Sequence, residues 1–157
     1  RALGVLEFDG TTGSLLRTVV ADNGSTVDDV RGISFGPDGA LYLATGGTDS
    51  ILRFDTASQV LSTFVPDNSG LNLDISDIDF GPDGNLYVAE RGLHTVMRFR
   101  GSDGLALGEF TSGGAALFGV GGPQFLSFPP VPEASTTLPL TALALGAAIW
   151  ALRKRGA

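Results

Sequence analysis

The only histidine of the chain, His94, lies four residues after Glu90 in the segment "VAERGLHTVMRF". Histidine titrates close to neutrality, so an imidazole next to a carboxylate suits general acid–base catalysis. Glu90 and His94 are therefore the candidate catalytic residues of the sequence. The structural alternative, which we prefer, makes His94 a solvated turn residue and Glu90 a carboxylate at a sheet edge.

Carboxylates are concentrated in the segment just before this pair. Asp74, Asp77 and Asp79 are candidate ligands for a hard cation such as Ca²⁺, which requires several oxygen atoms. Asp77 and Asp79 share one face of a strand, but two carboxylates make an incomplete site, and no EF-hand loop is present. We therefore predict no metal and no cofactor, and we name these three as the residues to test.

Composition excludes several functional classes. The chain has no cysteine, which rules out disulfides, thiolate metal sites and a cysteine nucleophile. Its net charge is −7, and its positive charges include a cluster at the C-terminus, so the rest of the chain is more acidic still. An acidic body does not attract nucleic acid, and no nucleic-acid partner is expected. The 23 glycines favour a turn-rich fold, since glycine weakens helix interiors.

A repeat of 45 residues runs through the chain. The sequence "FGPDG" at residues 35–39 returns at 80–84, and "ILRF" at 51–54 returns as "VMRF" at 96–99. An earlier copy, "VLEF", occupies residues 5–8. Each unit contains four predicted strands, with a P-D-G turn between the first two. Four short strands in about 45 residues are typical of a β-propeller blade, and a plain β-meander or sandwich is the alternative.

The predicted strands agree between the units. They are "GISF" and "DIDF", then "ALYLA" and "NLYVA", then "SILRFD" and "TVMRFR", and finally "VLSTFV" and "LALGEF", with "SLLRTVV" as an earlier outer strand.

These units resemble the NHL and streptogramin-lyase-like propellers, whose blades carry the pattern "GPDG-LYVAD-GNNRI-RF". The resemblance covers about residues 1–128 and implies a fold rather than an activity, because propellers host many functions. At the position of His94 that pattern has a turn asparagine, and at the position of Glu90 an aspartate. In such a blade the start of strand one and the end of strand two reach the same rim, where propellers bind ligands. The predicted rim residues are Asp28, Asp29, Arg31, Thr45 and Asp49 on one blade, and Asp74, Asp77, Glu90, Arg91 and His94 on the next.

Residues 1–128 contain about two and a half blades, whereas a closed ring needs roughly four to eight. The outer half of one blade is followed by repeats near 30–74 and 75–119, and "PQFLSF" at 123–128 is predicted to be a further first strand. The chain starts with Arg1 and without a signal peptide. We therefore expect upstream blades in a longer protein, with "PQFLSF" closing the ring.

The last 29 residues have a different composition. Residues 129–137 are a proline-rich linker, and residues 138–152 are apolar and uncharged. As a helix this stretch would span roughly 22 Å, which flanking residues can extend toward the ~30 Å hydrocarbon core. Residues 153–157 follow as a basic tail. The positive charges of Arg153, Lys154 and Arg155 should keep this tail in the cytoplasm. A transmembrane α-helix is predicted, with a buried core helix or an amphipathic partner helix as alternatives.

This ending resembles the PEP-CTERM sorting signal of Gram-negative bacteria. Val131, Pro132 and Glu133 match the start of its Val-Pro-Glu-Pro motif, whereas Ala134 replaces the second proline. The resemblance implies recognition by exosortase, an integral-membrane protease. It also implies an inner-membrane anchored intermediate, followed by release or attachment at the cell surface, with exopolysaccharide or other surface molecules as partners. "LPLTA" at 138–142 also resembles a sortase motif of the LPxTG type, but it lies inside the apolar run.

Three functional hypotheses follow. The first is an exported, surface-sorted propeller that acts in binding or in association with extracellular matrix or biofilm. The second is a propeller enzyme of the lyase or lactonase type that uses His94 and Glu90. The third is a permanently anchored single-pass surface protein whose tail is not cleaved.

Overall fold

The computed structural model describes residues 4–71, 74–111 and 121–128. Within these ranges the chain forms ten β-strands and no helix. The strands are β1 Val5–Phe8, β2 Leu15–Val20, β3 Val30–Phe35, β4 Leu41–Thr45, β5 Ser50–Phe54, β6 Leu61–Val65, β7 Ile75–Phe80, β8 Leu86–Glu90, β9 Thr95–Phe99 and β10 Ala106–Glu109. The predicted all-β architecture is confirmed for the described residues.

The strands form three antiparallel sheets. β1 and β2 make a two-stranded sheet, which we call the outer hairpin, because it corresponds to the last two strands of a blade. β3–β6 form the first complete sheet in the order β3-β4-β5-β6, and β7–β10 form the second in the matching order. The pairing of each strand with its sequence neighbour is the meander that the repeat predicted.

The P-D-G segments are tight turns between the first two strands of each blade. Gly39 and Gly84 have φ values of 76° and 73°, in the left-handed region that favours glycine. In the first blade Asp38 Oδ1 accepts the amide of Ala40, and Asp38 Oδ2 accepts the Tyr42 hydroxyl at 3.2 Å. Arg53 donates to the same carboxylate, at 2.9 Å from Nε, so this arginine has a structural role in the turn.

Both faces of β4, an interior strand of the first blade, are covered. Successive residues of a strand point to opposite faces, so Leu41 and Leu43 face the outer hairpin, whereas Tyr42 and Ala44 face the second blade. The burial of a large apolar side chain contributes about 1.5–3 kcal/mol to the free energy of unfolding. The two buried layers, one under the outer hairpin and one between the blades, are therefore the main source of stability. The buried layer under the outer hairpin contains Val5, Val20, Val27, Leu41, Leu43, Leu52 and Phe54. The layer between the blades contains Ala40, Tyr42, Ala44, Ile51, Val65, Leu71, Ile75, Ile78, Leu86, Val88 and Phe99.

The inner strands β3 and β7 approach each other closely. A Cβ atom at Gly32 would lie 2.9 Å from the backbone nitrogen of Ile78. On the same interface the ring of Tyr42 meets Phe80 edge-on, with 4.7 Å between the ring centroids. Glycine at position 32 thus allows the two sheets to pack at the distance that the Tyr–Phe contact requires.

The segment 123–128, predicted to be a further first strand, is not a strand in the structure. Its backbone is held by side chains of β7 instead: Asp77 Oδ2 accepts the amide of Leu126 at 2.9 Å, and Asp79 Oδ2 accepts the amide of Phe128 at 3.2 Å. The ring of Phe128 lies 4.8 Å from that of Tyr87, which repeats the Tyr–Phe contact between the two blades. The segment therefore occupies the place of the next inner strand without forming a sheet of its own.

The linker, the predicted transmembrane helix and the basic tail at residues 129–157 lie outside the described residues. Across the ranges that are described, no helix is long and apolar enough to cross a membrane.

Gly32→Ala should destabilise the protein by about 1–3 kcal/mol, because the new methyl group meets backbone atoms of β7 that cannot rotate away. Urea unfolding followed by circular dichroism measures this change. Gly10→Ala is the matched control, since a Cβ atom at that position would have no neighbour within 4 Å. Equal stability of the two variants would contradict the close approach of β3 and β7.

Candidate functional site

The strand register brings the predicted rim residues to one edge of the two blades. Val30 pairs with Thr45 in the first blade, and Ile75 pairs with Glu90 in the second. Residues that precede the first strand of a blade and residues that follow its second strand therefore lie at the same edge, as the sequence predicted. We call this edge the rim.

A chain of ion pairs links the two blades at the rim. Arg31 contacts Asp29 on its own blade, with Nη2 2.7 Å from Oδ2, and reaches Asp74 of the next blade, with Nη1 3.3 Å from Oδ1. Arg91 holds the same Asp74 in a bidentate pair, with Nε 3.0 Å from Oδ2 and Nη2 2.6 Å from Oδ1. The hydrogen bonds from Arg91 lower the pKa of Asp74, and the partial burial of the carboxylate opposes this shift. Asp74 thus serves as an ion-pair bridge between the blades.

The other two candidate metal ligands also have hydrogen-bond partners within the protein. Asp77 accepts the amide of Leu126, as described above, and Asp79 Oδ1 accepts the Ser34 hydroxyl at 3.0 Å. Among the described residues, no group of three or more acidic or histidine side chains is arranged to hold a metal ion. The three aspartates hold neighbouring segments together and do not converge on one point.

Glu90 is fully buried at the end of β8, with 0% of its surface exposed. The equivalent residue of the first blade is Thr45, whose buried hydroxyl contacts those of Thr48 and Ser50 at 2.7 and 3.0 Å. The Glu90 carboxylate therefore lies where the first blade has the hydroxyl of Thr45, which belongs to a cluster of three hydroxyl groups. Glu90 thus lies at the rim edge of the second blade, where the sequence placed it, but its side chain is buried inside the blade.

His94 is a half-buried residue of the turn between β8 and β9, with φ at 55°. Its amide donates to the carbonyl oxygen of Arg91 at 3.3 Å. Asp49 holds the same position in the first blade, with φ at 49°. Left-handed backbone conformations are uncommon for residues other than glycine, and asparagine, aspartate and histidine adopt them more readily than most. The backbone geometry agrees with the turn interpretation of His94.

Two clefts open beside these residues. The first has a volume of about 260 Å³ and is lined by Arg31, Ile75, Ser76, Arg91, Gln124 and Phe125. The second has a volume of about 220 Å³ and includes Asp49 and Asp67. Burial raises the pKa of Asp49, and the negative charge of Asp67 adds to this shift although Arg31 opposes it.

The sequence did not indicate that residues 121–128 contribute to the first cleft. Phe125, which is 83% exposed, and Gln124 stand beside the Arg91 side chain. Ser76 anchors the segment by donating its hydroxyl to the Pro123 carbonyl oxygen at 2.6 Å. The predicted inner strand at 123–128 could have indicated Gln124 and Phe125, because such a strand must pass beside the rim end of β7.

Comparison with known proteins relates the fold to structures of propeller proteins. No family model and no curated protein sequence matches this chain. The extracellular domain of a hybrid two-component system from B. thetaiotaomicron matches 70% of this chain and 14% of its own length, with 20% identity and a TM-score of 0.51. A virginiamycin B lyase from Staphylococcus aureus, in a catalytically inactive form with quinupristin, matches 51% of this chain and 26% of its own length, with 28% identity and a TM-score of 0.40.

The four-stranded meander sheets and the first of these similarities define the described residues as blades of a β-propeller. The chain spans only a small part of the structures it matches, and the similarity concerns the fold alone.

Asp74→Asn should lower the free energy of unfolding at about pH 7 by at most ~1 kcal/mol, because the ion pairs with Arg31 and Arg91 are partly solvated. The folded-state pKa of Asp74 lies below its unfolded value, so ionised Asp74 stabilises the fold above the unfolded-state pKa. This contribution disappears as the pH falls through the folded-state pKa. Urea titrations should show a smaller difference in stability between the variant and the parent at about pH 3 than at about pH 7, because the unfolded-state carboxyl is largely protonated at the acidic pH. A difference that does not depend on pH would contradict the ion-pair role.

His94→Asn should leave stability within about 0.5 kcal/mol, whereas His94→Val should cost about 1–2 kcal/mol, because a β-branched residue is strained at positive φ. Thermal unfolding of both variants measures the difference. If the His94→Val variant is as stable as the His94→Asn variant, position 94 does not have the left-handed backbone conformation described above.

Proposed function

We propose that this chain belongs to an exported β-propeller protein that acts by binding a surface or matrix component and is sorted through its C-terminal segment. The observation that carries the binding role is the rim cleft, in which two ion-paired arginines stand beside an exposed phenylalanine and an amide side chain. Such a mixture of flat apolar surface and fixed polar groups is typical of a ligand-binding cleft.

The same geometry favours binding over catalysis. Glu90, one of the two candidate catalytic residues, is fully buried, and His94 takes part in a turn with positive φ. Asp74, Asp77 and Asp79 accept hydrogen bonds from neighbouring segments. The rim carboxylates thereby maintain the cleft, and the polar side chains that line it are Arg31, Ser76, Arg91 and Gln124. A lyase or lactonase role for His94 and Glu90 is the alternative that the experiment below distinguishes.

The sorting part of the proposal rests on the amino-acid sequence of the tail. Val131, Pro132 and Glu133 precede an apolar stretch and a basic end, in the order of the PEP-CTERM signal. The apolar stretch would halt a translocating chain in the bilayer, because the basic residues after it cross poorly. Prolines before it keep the backbone extended, which suits entry into a protease active site.

Cleavage of the tail is tested by expressing the chain, behind a secretion signal, in Gram-negative hosts with and without exosortase. We expect cleavage within residues 131–135 only when exosortase is present. The exported protein then lacks the mass of the residues after the cleavage point, which intact-mass spectrometry measures. Glu133→Ala should reduce the cleaved fraction at least tenfold, whereas Glu109→Ala, in β10, should not change it. An uncleaved tail in both hosts would instead support permanent anchoring.

The binding role is tested with the exported protein. Arg91→Ala and Phe125→Ala should each reduce retention on the producing cells or their extracellular polymer at least fivefold. Arg100→Ala is the matched control, because Arg100 forms an exposed ion pair with Asp103 away from the cleft. If retention is unchanged but His94→Ala abolishes turnover of a lactone or cyclic depsipeptide, the protein is an enzyme and the binding proposal fails.

A further inference from the structure

The segment at residues 121–128 crosses the second blade from the rim to the opposite edge. At its start, a Cβ atom on Gly122 would lie 2.5 Å from the carbonyl oxygen of Arg91, a rim residue. At its end, the amide of Phe128 bonds to the carboxylate of Asp79, the last residue but one of β7. The chain therefore enters this segment at the rim and leaves it at the far end of β7.

The far end of β7 belongs to the edge that carries the P-D-G turns. The turns between the third and fourth strands lie beside them. In the first blade the hydroxyl of Thr56 donates to the carbonyl oxygen of Gly39 at 3.3 Å, and in the second the amide of Gly101 donates to Asn85 Oδ1 at 3.3 Å. We call this edge the turn edge. The length of the inner strands, roughly 17–20 Å, separates it from the rim.

The predicted membrane anchor follows a short distance beyond this exit. The linker at residues 129–137 joins Phe128 to the apolar stretch at 138–152 and includes three prolines. An extended linker of this length reaches at most about 30 Å, and proline-rich linkers are semi-rigid. With the apolar stretch in a bilayer, the turn edge therefore lies within this distance of the lipid, and the rim is farther away.

The turn edge also carries exposed aliphatic side chains. Leu15, Val60 and Leu105 lie at or directly before the start of the fourth strand of each blade, next to the turn that leads into it. They are 57%, 58% and 53% exposed. Aliphatic groups gain free energy when they leave water for an apolar environment. Each blade thus offers one apolar contact on the side where the chain leaves the fold.

From the exit of the chain and these aliphatic residues we propose that the turn edge of the uncleaved protein faces the bilayer that holds the tail. Leu15, Val60 and Leu105 then contact the lipid headgroup region, and the rim cleft opens away from the membrane. The inference rests on the membrane anchoring in the proposed function and adds an orientation to it. A cleft that opens away from the membrane is accessible to ligands too large to enter the space between fold and lipid, so it fits a polymer outside the cell.

Fluorescence quenching in vesicles tests the orientation. The chain has no cysteine, so labels can be placed singly. Ala57→Cys and Ser102→Cys each carry a fluorophore on an exposed turn of the turn edge, and Leu93→Cys carries it on an exposed turn of the rim. Each labelled full chain is incorporated into phosphatidylcholine vesicles that contain a lipid with a nitroxide on its headgroup. We expect the turn-edge labels to be quenched at least threefold more strongly than the rim label, because nitroxides quench only nearby fluorophores.

A matched variant tests the lipid contact. Leu15→Ser, Val60→Ser and Leu105→Ser together should lower the quenching of the turn-edge labels at least twofold, while flotation of the protein with the vesicles stays unchanged. Equal quenching of all labels in the parent chain, or stronger quenching of the rim label, would overturn the orientation; flotation in the same sample would leave the anchoring intact. A chain that does not float with the vesicles would overturn both the anchoring and the orientation.

Discussion

The packing of one blade face on the next is the constraint on which the rest of this structure depends. A four-stranded sheet of this size cannot bury its apolar residues alone, so each blade is stabilised by its neighbours. β4 illustrates this, since all five of its residues are buried between the outer hairpin on one face and the second blade on the other. The glycine at position 32 and the Tyr42–Phe80 contact set the spacing at this interface.

The same packing determines what the polar residues of the rim can do. The inner strands lie so close together that side chains on one blade reach the backbone or side chains of the next. Asp74 bridges two arginines from different blades, and Asp77 and Asp79 hold the segment that follows the second blade. Carboxylates that resemble metal ligands in the sequence thus serve as connectors, and the cleft beside Arg91 is formed by the elements they connect.

Much of the fold could be predicted from the sequence because local residue patterns determine it. Alternating apolar residues, the P-D-G turns and the 45-residue spacing located the strands of both complete blades and their order in each sheet. The failure at 123–128 has a physical cause. This segment resembles an inner strand, but its amides bond to carboxylates of β7, and no following strand pairs with it among the described residues. Local pattern cannot report whether a pairing partner is present.

The sequence by itself determined the all-β class, the blade repeat, the acidic character and the type of residue in each turn, because these depend on local conformation and composition. Only the tertiary structure decided the site. Glu90 proved to be buried at the end of β8, and Gln124 and Phe125 joined Arg91 although they are more than thirty residues away in the chain. Burial and proximity of this kind arise from contacts between segments far apart in the chain, which no single stretch of sequence encodes.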